Sequence, residues 1–260
     1  MQVTMTGRIA LITGGSQGLG YAMAQRFLES GADVALLARR EDVLMEARDA
    51  LRATSNGRVE GYVCDVSDAA QIADTHDRVV AELGAVDILV NNAGHASMGA
   101  FEEITDAMWQ ADLDLKLFAA IRLSRLVLPG MKARRWGRIL NLLNTAAKAP
   151  PAGSAPTSVS RAAGLALTKV LANEGAPHNV LVNALLIGLI KSDQVRRWWQ
   201  ASGTDRSLEE HMAAMGERLA IGRMGEAEEC ANLACFLASE QGSYVTGCAI
   251  NMDGGMSPVP

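Results

Sequence analysis

Thr13-Gly14-Gly15-Ser16-Gln17-Gly18-Leu19-Gly20 decides the fold, because it joins a short apolar run to a segment with helical periodicity. Arg8–Thr13 has the composition of a buried β-strand, and the helical pattern runs from Leu19 to Ser30. Glycines at such a turn let the backbone approach a pyrophosphate, and the helix N-terminus offers free N–H groups. A purely structural turn is the alternative, but the strand-turn-helix position favours a phosphate cradle. Its predicted binding residues are Gly14, Ser16, Gln17, Gly18, Leu19 and Gly20.

Apolar strand-like runs alternate with helical patterns along the rest of the chain. Six further strands are predicted at Asp33–Ala38, Val59–Cys64, Val86–Val90, Arg138–Leu143, Val180–Leu186 and Ala249–Met252. They are nearly continuous hydrophobic runs, as expected where helices cover both faces of a parallel sheet. The pattern predicts the α/β class, with a single-domain Rossmann fold built on a doubly wound seven-stranded parallel sheet with helices on both faces.

The composition limits the classes of function. The chain has 260 residues, of which 49% are hydrophobic and 20% charged, and its formal net charge is -5. We expect residues 1–260 to form one domain, without a basic field that would recruit nucleic acid or a membrane. The apolar runs are too short for a signal peptide or a bilayer span. We therefore expect a cytoplasmic protein with four reduced, mostly buried cysteines, and the scattered histidines predict no metal site.

Several motifs together resemble those of the short-chain dehydrogenase/reductase family, and the resemblance extends from about Gly7 to Gly255. The motifs are the Gly-x3-Gly-x-Gly spacing of the cradle, Asp65-Val66, Asn91-Asn92-Ala93-Gly94, Gly222-Arg223-Met224-Gly225 and Asp253-Gly254-Gly255. The resemblance implies dinucleotide binding, with Asp65 and Val66 at the adenine. It also implies that Asn91, Ala93, Gly94, Ile190 and Ser192 line the adenosine ribose and nicotinamide side.

The end of the second strand bears on the choice of cofactor. It reads Leu37-Ala38-Arg39-Arg40, without the carboxylate that an NAD-selective site usually places there. Arg39 offers a forked, charge-assisted contact to a 2′-phosphate, with Arg40 beside it. This favours NADP(H), while NAD(H) stays possible, and two solvated arginines are the alternative.

The positions that resemble the family's proton relay carry other residues. Family members use a tyrosine, a lysine, a serine and an asparagine, which fall here on Thr157, Arg161, Asn144 and Asp114. A threonine hydroxyl ionises far above a tyrosine, and arginine keeps its proton. Loss of general acid catalysis typically costs about 100- to 10,000-fold in rate, so weak activity is compatible with these four candidate catalytic residues.

The replacements also suggest a coupled change. We predict a direct Asp114–Arg161 ion pair, since their helices should face each other; the alternative is a solvated Asp114, with Arg161 alone on the ribose. We expect Lys116 and Lys148 to be solvated and His95 to be a pocket wall rather than a catalyst.

The substrate side is predicted to include a helical insertion at about 190–220, which by resemblance forms a lid. Its Trp198 and Trp199, next to Arg196 and Arg197, predict an apolar or aromatic, anionic ligand, unless the tryptophans only pack the lid. The candidate pocket residues are His95, Met98, Thr145 and Trp198.

Two functions fit this sequence. The first is an NADP(H)-binding oxidoreductase with a non-standard active site, which transfers hydride to a small carbonyl or imine compound. The second is an inactive dinucleotide-binding homologue that serves as a sensor or partner subunit. The resemblance further implies a homo-oligomer, a tetramer or a dimer, and a small-molecule substrate.

Overall fold

A computed structural model describes residues 3–260, except for the side chains of residues 193 and 194. Seven strands form one sheet with the order β3-β2-β1-β4-β5-β6-β7, and every pairing between them is parallel. The strands are Ile9–Thr13 (β1), Asp33–Ala38 (β2), Val59–Val63 (β3), Ile88–Asn91 (β4), Gly137–Asn144 (β5), Val180–Ile187 (β6) and Ala249–Met252 (β7). The predicted doubly wound Rossmann fold is confirmed.

Nine α-helices connect and cover the strands within the described residues. They are Gly18–Glu29 (α1), Glu41–Thr54 (α2), Ala69–Glu82 (α3), Asp106–Leu113 (α4), Ala119–Arg134 (α5), Thr157–Gly175 (α6), Asp193–Ser202 (α7), Leu208–Gly216 (α8) and Ala227–Leu237 (α9). A π-helical turn, Asp114–Phe118, joins α4 to α5. Both α7 and α8 fall within the predicted insertion, whose role as a lid stays a prediction.

The core lies on both faces of the sheet. In β1, Ala10 and Ile12 pack with buried residues of α1, α2 and α9, while Ile9 and Leu11 pack with those of α3 and α5. Successive side chains of a strand point to opposite faces, so a strand buried on both faces needs an unbroken apolar run. This explains why the strands could be found from hydrophobicity without any alternating pattern.

The strand order reverses between β1 and β4, because the chain adds β2 and β3 on one side of β1 and the later strands on the other. This reversal creates a crevice at the carboxyl ends of β1 and β4. Asn92, just after β4, fastens the two sides of this crevice together. Its Nδ2 donates to the backbone oxygens of Thr13 and Gly14 at 2.9 and 3.2 Å. The Thr13 Oγ1 in turn accepts from the backbone N–H groups of Asn92 and Ala93, each at 2.9 Å. The glycine turn after β1 is thereby held in place before any ligand arrives.

No helix in the described part of the chain is long and apolar enough to cross a membrane. The four cysteines are unpaired: Cys64, Cys230 and Cys235 are buried, and Cys248 is exposed.

Candidate active site

The predicted phosphate cradle is a turn whose backbone favours glycine at two positions and whose packing requires it at Gly20. Gly14 and Gly18 adopt φ values of +63° and +54°, in the left-handed region that side chains disfavour. A Cβ on Gly20 would overlap the Gly14 carbonyl oxygen and lie 2.7 Å from Asn92 Nδ2. No side chain caps the N-terminus of α1 at Gln17, so its first N–H groups stay open to an anion.

Two arginines flank the cradle at the end of β2. Arg40 donates from Nη2 to the side-chain oxygen of Gln17 at 2.6 Å, and so reaches across the mouth of the turn. Arg39 pairs weakly with Asp65, with 4.0 Å between Nη1 and Oδ2, and 63% of its side chain is exposed. Asp65 is also tied to Ser67. Positive charge therefore surrounds the end of the cradle.

One cleft with a volume of about 430 Å³ connects the cradle with the predicted catalytic positions. Asn144, Thr157 and Arg161 line it, and so do the four predicted pocket residues and Ser192. The structure thus brings together residues that lie far apart in the sequence. Ile190 is buried, forms a bridge with Gly225 and lines a second cavity, so its place on the nicotinamide side stays a prediction.

The predicted Asp114–Arg161 ion pair is wrong. Asp114 accepts from Arg122 Nη2 at 3.2 Å and from Gln110 Nε2 at 2.8 Å, and it is not among the residues that line the cleft. Arg161 instead donates from Nη1 to the backbone oxygen of Leu142. Gln110, Asp114 and Arg122 follow one another at four- and eight-residue intervals, so helical periodicity places them on one face, turned away from α6.

On the opposite face of this helical segment, Asp112 and Lys116 form a buried cluster with Thr157 and Ser160 of α6. Lys116 Nζ donates to Asp112 Oδ1 and, at 2.7 Å, to Thr157 Oγ1. Ser160 Oγ donates to the second carboxylate oxygen of Asp112 at 2.6 Å. The side chains of Asp112 and Lys116 are each only 1% exposed, so the prediction of a solvated Lys116 is wrong. Lys116, not Asp114, is the residue of this segment that contacts the cleft-lining Thr157.

Burial sets the electrostatics of the site. It lowers the pKa of Arg161 to about 10, partly offset by Asp112, so the guanidinium stays charged at neutral pH. Burial also lowers the pKa of Lys116, although its hydrogen bond and charge interaction with Asp112 act in the other direction. Partial desolvation and the charge of Lys116 lower the pKa of His95. A permanent cation at Arg161 therefore lies near a lysine that gives up its proton more readily than usual.

Two buried polar atoms on the cleft wall have no hydrogen-bond partner within the protein: Asn144 Oδ1 and Arg161 Nε. Buried polar groups are nearly always paired, so these atoms indicate a place for a polar ligand. The Arg161 guanidinium also lies directly against Gly94, where a Cβ would come within 2.7 Å of Nη2. A larger residue at this position would displace the arginine.

Sequence reasoning missed Asp112, Lys116 and Ser160. The signal was the spacing of four between Asp112 and Lys116, which pairs opposite charges on a helix. Lys148 was also expected to be solvated, but its Nζ donates to Ala249 O and Asn251 Oδ1, both at 2.9 Å, and so holds β7. Within the described residues, no group of three or more histidine, cysteine, aspartate or glutamate side chains is arranged to hold a metal ion.

Comparison with known proteins agrees with this geometry. Residues 14–257 match the model of a family described as Enoyl-(Acyl carrier protein) reductase. The human dehydrogenase/reductase SDR family member 4 is 36% identical over 256 residues, which cover 96% of this chain and 88% of that protein.

Two solved structures are similar over nearly the whole length. L-sorbose reductase from Gluconobacter frateurii, in complex with NADPH and L-sorbose, has a TM-score of 0.93 and 34% identity, with 100% of both chains covered. An NADPH-bound short-chain oxidoreductase from Pseudomonas aeruginosa PAO1, described as containing an atypical catalytic center, has a TM-score of 0.92 and 36% identity. The match covers 99% of this chain and 100% of the Pseudomonas aeruginosa chain. With its parallel sheet, glycine cradle and matched length, the chain belongs to the short-chain dehydrogenase/reductase family.

Proposed function

We propose that the protein is an NADP(H)-dependent oxidoreductase that transfers hydride to a small carbonyl or imine compound at a non-standard active site. The observation that carries this proposal is the cleft itself. It joins the uncapped N-terminus of α1 to a wall on which Asn144 Oδ1 and Arg161 Nε have no protein partner. The cleft thus has an anion-binding end, which suits the phosphates of a dinucleotide, and a polar end, which suits a small substrate.

The residues present fit a dinucleotide. Gly14, Gly18 and Gly20 leave room for a pyrophosphate on α1, and Gly94 lets the Arg161 guanidinium approach the nicotinamide ribose. When bound, the nicotinamide would supply the hydride chemistry. Arg39 pairs only weakly with Asp65 and keeps most of its side chain exposed, so it can contact a 2′-phosphate. Two similar structures were solved with NADPH, which supports the phosphorylated cofactor.

The substrate end is set by the protein's own side chains. The Thr157 hydroxyl and the Asn144 Nδ2 group can donate hydrogen bonds to a carbonyl oxygen, and Arg161 supplies a fixed positive charge beside them. Met98 and Trp198 give the wall apolar surface, while Arg197 on α7 adds a charge at the rim. We therefore favour a small apolar or aromatic substrate, with an anionic group as a further feature.

The first test measures cofactor binding. The protein is titrated with NADPH and with NADH, and binding is monitored by the fluorescence of the reduced nicotinamide. Arg39→Ala should weaken NADPH binding by a factor of about 10 to 100, as expected for a charged hydrogen bond worth roughly 1.5–3 kcal/mol, and leave NADH binding unchanged. Arg26→Ala is the matched control, since Arg26 is an exposed arginine of α1 that pairs with Glu29. Failure to bind either nucleotide would overturn the proposal.

The second test is turnover. NADPH oxidation should be measured with a panel of carbonyl and imine compounds. Oxidation with any of them, above the rate without protein, supports the enzyme. Tight binding of NADPH without oxidation by any panel member would favour the inactive homologue that serves as a sensor or partner subunit.

A further inference from the structure

We propose that Lys116, acting through the hydroxyl of Thr157, supplies the proton that the substrate oxygen takes up on reduction. This inference rests on the proposed function, because it completes the reaction at the same cleft. It assigns to the π-helical turn after α4 the proton delivery that Thr157 and Arg161 cannot provide alone.

The hydrogen bonds of Thr157 fix the direction in which its hydroxyl points. Its Oγ1 accepts from Lys116 Nζ at 2.7 Å and from the backbone N–H of Ser97 at 2.8 Å. These two donors occupy both lone pairs of the oxygen, so its own hydrogen has to be donated. Within the protein, the Asp112 carboxylate oxygen at 3.5 Å is a distant acceptor. Because Thr157 lines the cleft, an oxygen of a bound substrate is the better acceptor.

Lys116 and Arg161 differ in their ability to give up a proton. Arginine stays protonated in proteins, whereas the pKa of a lysine moves readily when it is buried. Three charged or titratable groups face Lys116: Asp112 of α4, Arg161 of α6 and His95 of the loop after β4. Burial and the charge of Arg161 favour the neutral amine, and Asp112 keeps the ammonium form accessible. A proton donor works best when its pKa lies near the working pH.

The proton balance of the step is simple. After hydride has reached the carbonyl carbon, the substrate oxygen carries the negative charge. It forms its O–H bond with the hydrogen of Thr157, while Thr157 Oγ1 takes a proton from Lys116 Nζ. The electron pair of the broken N–H bond stays on nitrogen, so Lys116 ends as a neutral amine. Once the product has left, a solvent proton taken up at the cleft by Thr157 returns along the same hydrogen bond and restores the ammonium of Lys116.

Asp112 and Ser160 are positioning residues in this arrangement. Asp112 holds Lys116 through Oδ1 and accepts from Ser160 through Oδ2. Both carboxylate oxygens are thus occupied, and the carboxylate cannot rotate without breaking a buried hydrogen bond. Asp112 therefore holds Lys116 Nζ in the position from which it donates to Thr157 Oγ1.

The test compares two substrates with one variant. Lys116→Gln keeps an N–H donor for Thr157 but has no proton to transfer. A ketone needs hydride and a proton, whereas a permanently charged cyclic iminium of similar shape needs hydride alone. We expect Lys116→Gln to lower ketone reduction by about 100- to 10,000-fold, the usual contribution of a proton donor, and to lower iminium reduction far less. Thr157→Val should show the same selective loss, and Thr157→Ser should restore ketone reduction.

A second readout does not depend on turnover. The chain contains five lysines, so protein labelled with ¹³C at lysine Cε gives few signals, and Lys116→Gln identifies that of Lys116. We expect this signal to titrate below the ordinary pH range of a lysine side chain, because burial lowers the pKa of Lys116. The rate of ketone reduction should fall as pH rises through the same midpoint, and Lys116→Gln should abolish this dependence. Lys191→Gln serves as the control and should change neither rate nor profile.

Several results would overturn the inference. Equal losses for ketone and iminium would assign Lys116 a structural role, and unchanged ketone reduction in Lys116→Gln would remove it from the reaction. An ordinary titration midpoint for Lys116 would have the same consequence. Wild-type protein that binds NADPH and reduces neither compound would overturn the proposed function and this inference together, so the two failures are distinguishable.

Discussion

Two lysine–carboxylate pairs in this protein differ mainly in their burial, and this allows a quantitative prediction. In the Lys116–Asp112 pair each side chain is 1% exposed, whereas in the Lys191–Glu226 pair the two are 47% and 45% exposed. Both pairs join an ammonium to a carboxylate oxygen. Replacing each lysine by methionine removes the same charge from two very different surroundings.

The expected decreases in the free energy of unfolding follow from how far each ion pair is exposed to water. Lys116→Met leaves the Asp112 carboxylate buried, with Ser160 as its remaining close donor, and breaking a buried pair in this way costs about 3–5 kcal/mol. Lys191→Met should cost only about 0–1 kcal/mol, because water replaces the lost partner. The double variant Asp112→Asn with Lys116→Met should be more stable than Lys116→Met alone, since it leaves no charge unpaired.

The measurement is urea-induced unfolding, followed by the fluorescence of the four tryptophans at one fixed protein concentration. The concentration matters because any association of subunits would add to the apparent stability. A loss for Lys116→Met no larger than that for Lys191→Met would refute the buried ion pair. It would also remove the structural basis for proton delivery through Thr157.

Three further predictions concern the cradle, the core and the misassigned aspartate. Gly20→Ala should abolish NADPH binding, because its Cβ overlaps the Gly14 carbonyl, whereas Gly18→Asn, at an open left-handed position, should retain binding in the same titration. The pKa of Tyr62 is raised by burial, so its stabilising effect should hold below pH 10 and fall as pH rises further. Between pH 10 and 11, the free energy of unfolding of the wild type should fall by about 1 kcal/mol relative to that of Tyr62→Phe. Asp114→Asn should leave ketone reduction unchanged and cost about 0–1 kcal/mol in urea unfolding, since Asp114 pairs with Arg122 in a partly exposed position.

The fold was predictable because its determinants are local. Continuous apolar runs specify strands covered on both faces, and the glycine spacing after β1 specifies a turn that opens a helix. All seven predicted strands lie within two residues of the observed bounds at each end, and β2 and β7 agree at both ends. The cleft followed from the same information, since the carboxyl ends of parallel strands meet at one edge.

The proton-handling residues were not predictable with the same ease. Asp112, Asp114 and Lys116 alternate along the chain, and only the helical phase decides which of them face α6. The π-helical turn that begins at Asp114 alters this phase, and π turns have no strong sequence signal.

The hydrogen bonds by which Asn92 fastens the glycine turn to β4 bear on how binding energy is divided along the cofactor. These bonds already fix the turn to β4, so the pyrophosphate end needs little ordering and most of its contact energy contributes to affinity. The exposed Arg39 lies at the other extreme, since immobilising a long side chain forfeits up to about 2 kcal/mol of rotamer freedom. The discrimination of about 10- to 100-fold expected from Arg39 is therefore what remains of its contact with a 2′-phosphate after this ordering cost. Variants that hold Arg39 in place should sharpen it without adding a single new contact.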